Sequence, residues 1–139
     1  MSRYLIVTHQ TAQSPELQRK AAALMAEDPS AEFAILVPEQ EGQTTSWEGE
    51  AVDIAQQRAE AAREQLMQNT GAHVVRTAVG SSDPLKAIEQ ELAGHHDYNV
   101  LVICTLPLGA SRWLRRDLVH HAQKKFGLPV IHVIAETPA

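Results

Sequence analysis

Short β-rich apolar runs alternate with helix-period segments along this whole chain, and that alternation limits its fold more than any single motif does. Tyr4 to Thr8 is the first apolar run. In "TAQSPELQRKAAALMAED" Leu17, Ala21, Leu24 and Met25 fall on one helical face, Ser14 is placed to cap, and Pro15 suits the first helical position. Glu32 to Val37 is the second run, stopped by Pro38. After the polar stretch "EQEGQTT", Trp47 to Asn69 reads as a helix. Thr45 and Glu48 have capping-box spacing, and Val52, Ala55, Ala59, Ala62 and Leu66 recur as a buried stripe. Gly71 is placed to end it.

The pattern then repeats. Ala72 to Val79 is a third, less apolar strand, and "GSSDP" opens a helix capped by Ser82 or Asp83, with Leu85, Ile88 and Leu92 facing inward. Asn99 to Thr105 is the most continuously apolar run, as expected of a strand covered on both faces. Ser111 to Phe126 reads as the fourth helix, ended by Gly127. On it Leu114, Leu118, Ala122 and Phe126 share a core face, and Arg112, Arg115, Arg116 and Val119 share another. Pro129 to Ala135 is the fifth strand. Five strands with four intervening helices predict a parallel sheet with helices on both faces, because parallel strands need crossover connections.

The chain has 139 residues and is 44% hydrophobic, which fits one domain over residues 1–139 with a real core. No apolar run approaches the ~20 residues of a membrane-spanning helix, and none has the length of a signal peptide. The single cysteine, Cys104, lies within an apolar run and reads as a small buried hydrophobe. These features predict a cytoplasmic protein with no membrane partner. The net charge of −5 excludes a global basic signal for nucleic acid. It is unevenly spread, however. Between Arg112 and Lys125 there are five Lys or Arg against one acid, Asp117, which suits a small anion or an acidic partner.

Two segments carry a family likeness. "VGSSDPLKAIEQEL" resembles the Gly-Asp-Pro segment that opens the third helix of universal stress proteins, and "NVLVICT" with "FGLPVIHV" resembles the last β-α-β unit of that family. The "SRWL…FGLPV" form is similar to a stress-protein-like subgroup. The resemblance spans essentially the whole chain. It implies a three-layer, Rossmann-like fold of the adenine-nucleotide-hydrolase type, with strand order 3-2-1-4-5. It also implies a homodimer joined through the strand Pro129 to Ala135. As an apolar terminal strand, that segment would want a partner if it formed an open edge.

ATP-binding members of the family place an acidic residue after the first strand and a glycine pattern after the fourth. Here the acidic position falls on His9, and the first two glycine positions fall on Pro107 and Ala110. Gly109 is one place off. Glycines let backbone N–H groups approach phosphate closely, and proline removes a donor outright. The fold resemblance therefore carries further than the ATP-site resemblance. No cofactor is demanded by the residues; ATP or another nucleotide is what the resemblance admits.

In such a sheet ligands bind beyond the carboxyl ends of the strands, where the strand order reverses. That places Thr8, His9 and Gln10 near Thr105, Gly109, Ser111, Arg112 and Arg115, with Pro38 and Gly80 at the same edge. Arg112 and Arg115 at the start of a helix oppose its dipole, and a bound anion would reverse that penalty. The alternative is that both guanidinium groups point into water. His9 is likewise either a ligand contact or a hydrogen-bonded structural histidine. Seven histidines do not form a metal pattern: His95–His96 and His120–His121 are adjacent, and neighbours on a helix diverge. No Gly-x-Ser-x-Gly, P-loop or dinucleotide fingerprint occurs. The reading is a stress-protein-like regulatory or ligand-binding protein without a catalytic constellation. An interaction adaptor that has lost its nucleotide, or a nucleotide hydrolase or transferase on the same fold, are the alternatives.

Overall fold

The computed structural model describes residues 3–8, 15–38, 48–80, 84–94, 98–105 and 116–134. Its elements run β1 (Arg3–Val7), α1 (Pro15–Glu27), β2 (Glu32–Pro38), α2 (Glu48–Thr70), β3 (His73–Gly80), α3 (Pro84–Gly94), β4 (Val100–Thr105), α4 (Arg116–Phe126) and β5 (Val130–Ile134). The strands form one sheet in the order β3-β2-β1-β4-β5, and every adjacent pair is parallel. This is the sheet and the order that the resemblance implied. The caps Ser14, Thr45, Ser82, Asp83 and Ser111 lie outside the described residues, as does the expected start of the fourth helix.

The strict alternation of β1, β2 and β4 divides the core in two. Tyr4, Ile6, Phe33, Ile35, Val37, Val102 and Cys104 pack under Leu17, Ala21 and Leu24 of α1 and Ala59, Ala62 and Leu66 of α2. Leu5, Val7, Ala34, Leu36, Leu101 and Ile103 pack under Ala87 and Ile88 of α3 and Ala122 of α4. Each fully buried aliphatic side chain contributes ~1.5–3 kcal/mol relative to exposure, so both layers hold the sheet. Tyr4 stacks on Phe33 at 5.4 Å on the first layer. Helix ends follow the glycines: Gly71 (φ 74°) and Gly127 (φ 67°) adopt left-handed backbone, and their N–H groups donate to the carbonyls of Met67 and Gln123 at 3.1 Å. Among the described residues, no helix is long and apolar enough to cross a membrane.

Some expectations shift. β2 runs one residue further than Val37, with Pro38 paired opposite Gly80; β3 likewise extends to Gly80. A proline is tolerated at the last position because no ladder bond beyond it needs its missing N–H. β4 begins at Val100, since Asn99 exchanges bonds with Arg3 instead: each backbone N–H of the two is bonded at 2.9 Å to the other residue, to the Arg3 carbonyl and to the Asn99 side-chain Oδ1. Val119, which the sequence placed on one face with Arg112, Arg115 and Arg116, packs against the α3–α4 core layer. On α3 Leu85, Ile88 and Leu92 pack inward as expected, and Ala87 and Glu91 are buried with them.

Candidate functional site

All five strands end at one edge of the sheet, because all are parallel. The chain leaves β1 toward β2 on one side and β4 toward β5 on the other, so the strand order reverses between β1 and β4. Beyond a reversal the connecting segments diverge and leave a crevice. Four predicted residues are at this edge. Thr8 follows β1, is fully buried, and donates its N–H to the Leu36 carbonyl at 3.1 Å, so it belongs to the floor. Thr105 ends β4, in register with Ile134. Pro38 and Gly80 end β2 and β3 as a registered pair. The other predicted residues, His9, Gln10, Gly109, Ser111, Arg112 and Arg115, lie outside the described residues.

Gly80 has a packing reason to be glycine. A Cβ there would stand 2.7 Å from the Ala87 Cβ and 3.2 Å from the Ala87 Cα. Its absent side chain lets α3 close on the end of β3, which is one of the roles glycine plays where a strand meets a helix at such an edge.

Glu16, in the first turn of α1, was missed from sequence. Its carboxylate is largely buried beside Arg19 (3.8 Å), and Oε1 has no hydrogen-bond partner among the described residues. The dipole at the helix start favours this charge. An unfilled carboxylate oxygen at that helix start is an acceptor suited to a hydroxyl. The only sequence signal was an acid directly after a helix-opening proline, which is common in helices with no site.

A second cluster lies away from the edge. Arg76 of β3 grips Glu91 of α3 with two bonds, Nε to Oε2 at 2.8 Å and Nη2 to Oε1 at 3.3 Å. The Tyr98 hydroxyl donates to the same Oε2 at 2.7 Å. Glu91 and Tyr98 are buried. Burial, and then the bond to Glu91, push the Tyr98 phenol well above its ordinary value, so it stays a donor. The Glu91 bond raises Arg76 in turn. All three side chains are joined through the Glu91 carboxylate. Among the described residues no group of His, Cys, Asp or Glu could hold a metal ion.

The fold has well-matched counterparts among solved structures. A universal stress protein from Archaeoglobus fulgidus superposes with TM-score 0.64 at 16% identity, over 96% of this chain and 93% of that one. A universal stress protein in complex with cAMP gives TM-score 0.62 at 18% identity, over 97% and 98%. A universal stress protein family protein from Arabidopsis thaliana with AMP bound gives 0.55 at 12%, over 99% and 94%. No protein-family model and no curated protein matches the chain by sequence. The architecture is therefore universal-stress-protein-like, at a level of identity that speaks for the fold alone.

Proposed function

We propose that this protein is a non-catalytic, cytoplasmic regulatory protein that binds an adenine nucleotide or another small anion at the carboxyl ends of β1 and β4. The observation that carries this reading is the reversal of strand order between those two strands, with Thr8 and Thr105 at its ends. Two proteins of the same fold were solved with cAMP and AMP, which makes a small nucleotide the ligand class to try first. His9, Gln10, Gly109 and the Ser111 helix start would line the crevice. Arg112 and Arg115 would replace the backbone donors that Pro107 and Ala110 cannot supply in glycine's manner. Glu16 would accept a ribose hydroxyl. β5 is an open edge with Ile134 46% exposed, and a second copy of the strand would cover it, giving a homodimer.

Isothermal titration calorimetry with AMP, cAMP, ATP and inorganic phosphate tests the reading. A saturable signal with one of them, lost in Arg112→Ala, is the expected result. No heat with any of the four would leave the adaptor reading, which the Pro107 and Ala110 positions favour. Turnover of ATP would replace the reading with a hydrolase. Sedimentation velocity across a concentration series checks the dimer, and monomer alone at tens of micromolar would rule it out.

A further inference from the structure

β3 carries one residue more than its neighbour can pair. Phe33 lies opposite Val74 and Ala34 lies opposite Arg76, so Val75 is bulged out of the ladder, and it is 48% exposed. The bulge changes which face every later residue of β3 presents. Phe33, Ile35 and Val37 face the α1–α2 layer, and Ala34 and Leu36 face the α3–α4 layer. With the bulge, Arg76, Ala78 and Gly80 fall on the α3 side. There Arg76 meets Glu91 and Gly80 meets Ala87. Thr77 falls on the α2 side, where its hydroxyl donates to Glu60 at 3.1 Å.

Without the bulge every one of these residues would change sides, because a one-residue slip inverts a strand. Arg76 would enter the apolar layer beneath α2, and Glu91, still buried under α3, would lose both bonds from it. Val79 would take the place of Gly80 against Ala87, where a Cβ has no room. Bulges commonly re-aim a side chain in this way near functional edges.

We infer that Arg76, Glu91 and Tyr98 are a register lock: the buried carboxylate holds the Val75 bulge through Arg76, and so fixes where β3 delivers Gly80 to the candidate edge. They are positioning residues, acting through the strand. The link to ligand binding rests on the function proposed above; the lock itself does not.

Amide hydrogen exchange read by NMR on the full chain tests it. In Glu91→Leu the amides from Arg76 to Gly80 are expected to lose protection about tenfold or more, while those of β1 and β4 change little. Deleting Val75 gives β3 a regular ladder with Arg76 already opposite Ala34, so that chain is expected to fold with near-normal protection. The decisive arm joins the two. With Val75 deleted, Glu91→Leu is expected to regain β3 protection, because no bulge then needs holding. A buried ion pair with no role in register would leave the double variant as loose as Glu91→Leu, and that result overturns the lock. So does uniform loss of protection across the sheet, an unchanged β3 in Glu91→Leu, or failure of the double variant to fold. An AMP titration of the same proteins keeps the two readings apart. If AMP binds no variant and not the parent either, the site reading fails while the exchange data still decide the lock.

Discussion

Where the strands begin, charged and polar side chains tie neighbouring elements together; where they end, the described residues meet through backbone bonds and close packing. At the first edge Arg3 bonds Glu32 with Nε and Nη2 at 3.2 and 2.8 Å, and exchanges two bonds with Asn99. Glu91 gathers Arg76 and Tyr98 close by. At the other edge stand a buried threonine, a proline and a glycine that meets an alanine. On the proposed function, the two edges have different tasks. Groups bonded to one another hold geometry but have nothing left for a ligand. An edge that binds must keep its polar groups for the ligand and rest on packing.

The largest predicted effect attacks the first edge. Arg76→Ala takes away both bonds that Arg76 gives to the buried Glu91 carboxylate, and should cost about 3 kcal/mol in urea unfolding. Glu91→Gln should cost less, because Arg76 is partly exposed and water can solvate it. Equal losses would mean that the carboxylate is not the costly member. Next is Gly80→Ala at the second edge, at about 1–3 kcal/mol from overpacking against Ala87. Ala87→Gly in the same chain should return most of it. If it does not, Gly80 serves something other than helix packing. Arg3→Ala should then cost only about 0.2–1 kcal/mol, since water reaches both Arg3 and Glu32. A loss as large as that of Arg76→Ala would show that exposure does not separate the two pairs.

Much of the frame was legible because burial writes periodicity directly. Strands covered on both faces read as apolar runs, α1 showed Leu17, Ala21 and Leu24, and Gly71 and Gly127 marked helix ends by needing positive φ. The register lock was not legible in that way. An inward stripe is sought among apolar residues, so Glu91 was passed over for Leu92. A charge in a strand suggests solvent, so Arg76 raised no question. One signal was present: Val74 and Val75 are adjacent valines before an arginine, which breaks a period of two. The break is the bulge. Of the candidate edge, sequence could place Thr8, Pro38, Gly80 and Thr105 because strand ends fix them. It could not tell that Thr8 is floor or that Gly80 answers to Ala87, since both facts depend on contacts distant in the chain.

The smallest effect concerns His132 on β5, at the other end of the strand order from β3. Burial lowers its pKa below the ordinary 6.5. The unfolded chain therefore takes up a proton at a higher pH than the folded one does. Stability from this group is complete above about pH 6.5 and falls as the pH drops toward the lowered folded value. Between pH 7 and pH 5 urea unfolding should thus show a small loss that His132→Gln removes, against a background set by the carboxylates. If β5 pairs with a second copy, burial deepens, and the loss should grow at protein concentrations where the dimer forms. A pH dependence that is the same in monomer and dimer would place the contact on another surface. That would leave β5 as an open edge, on the side of the sheet opposite the lock on β3.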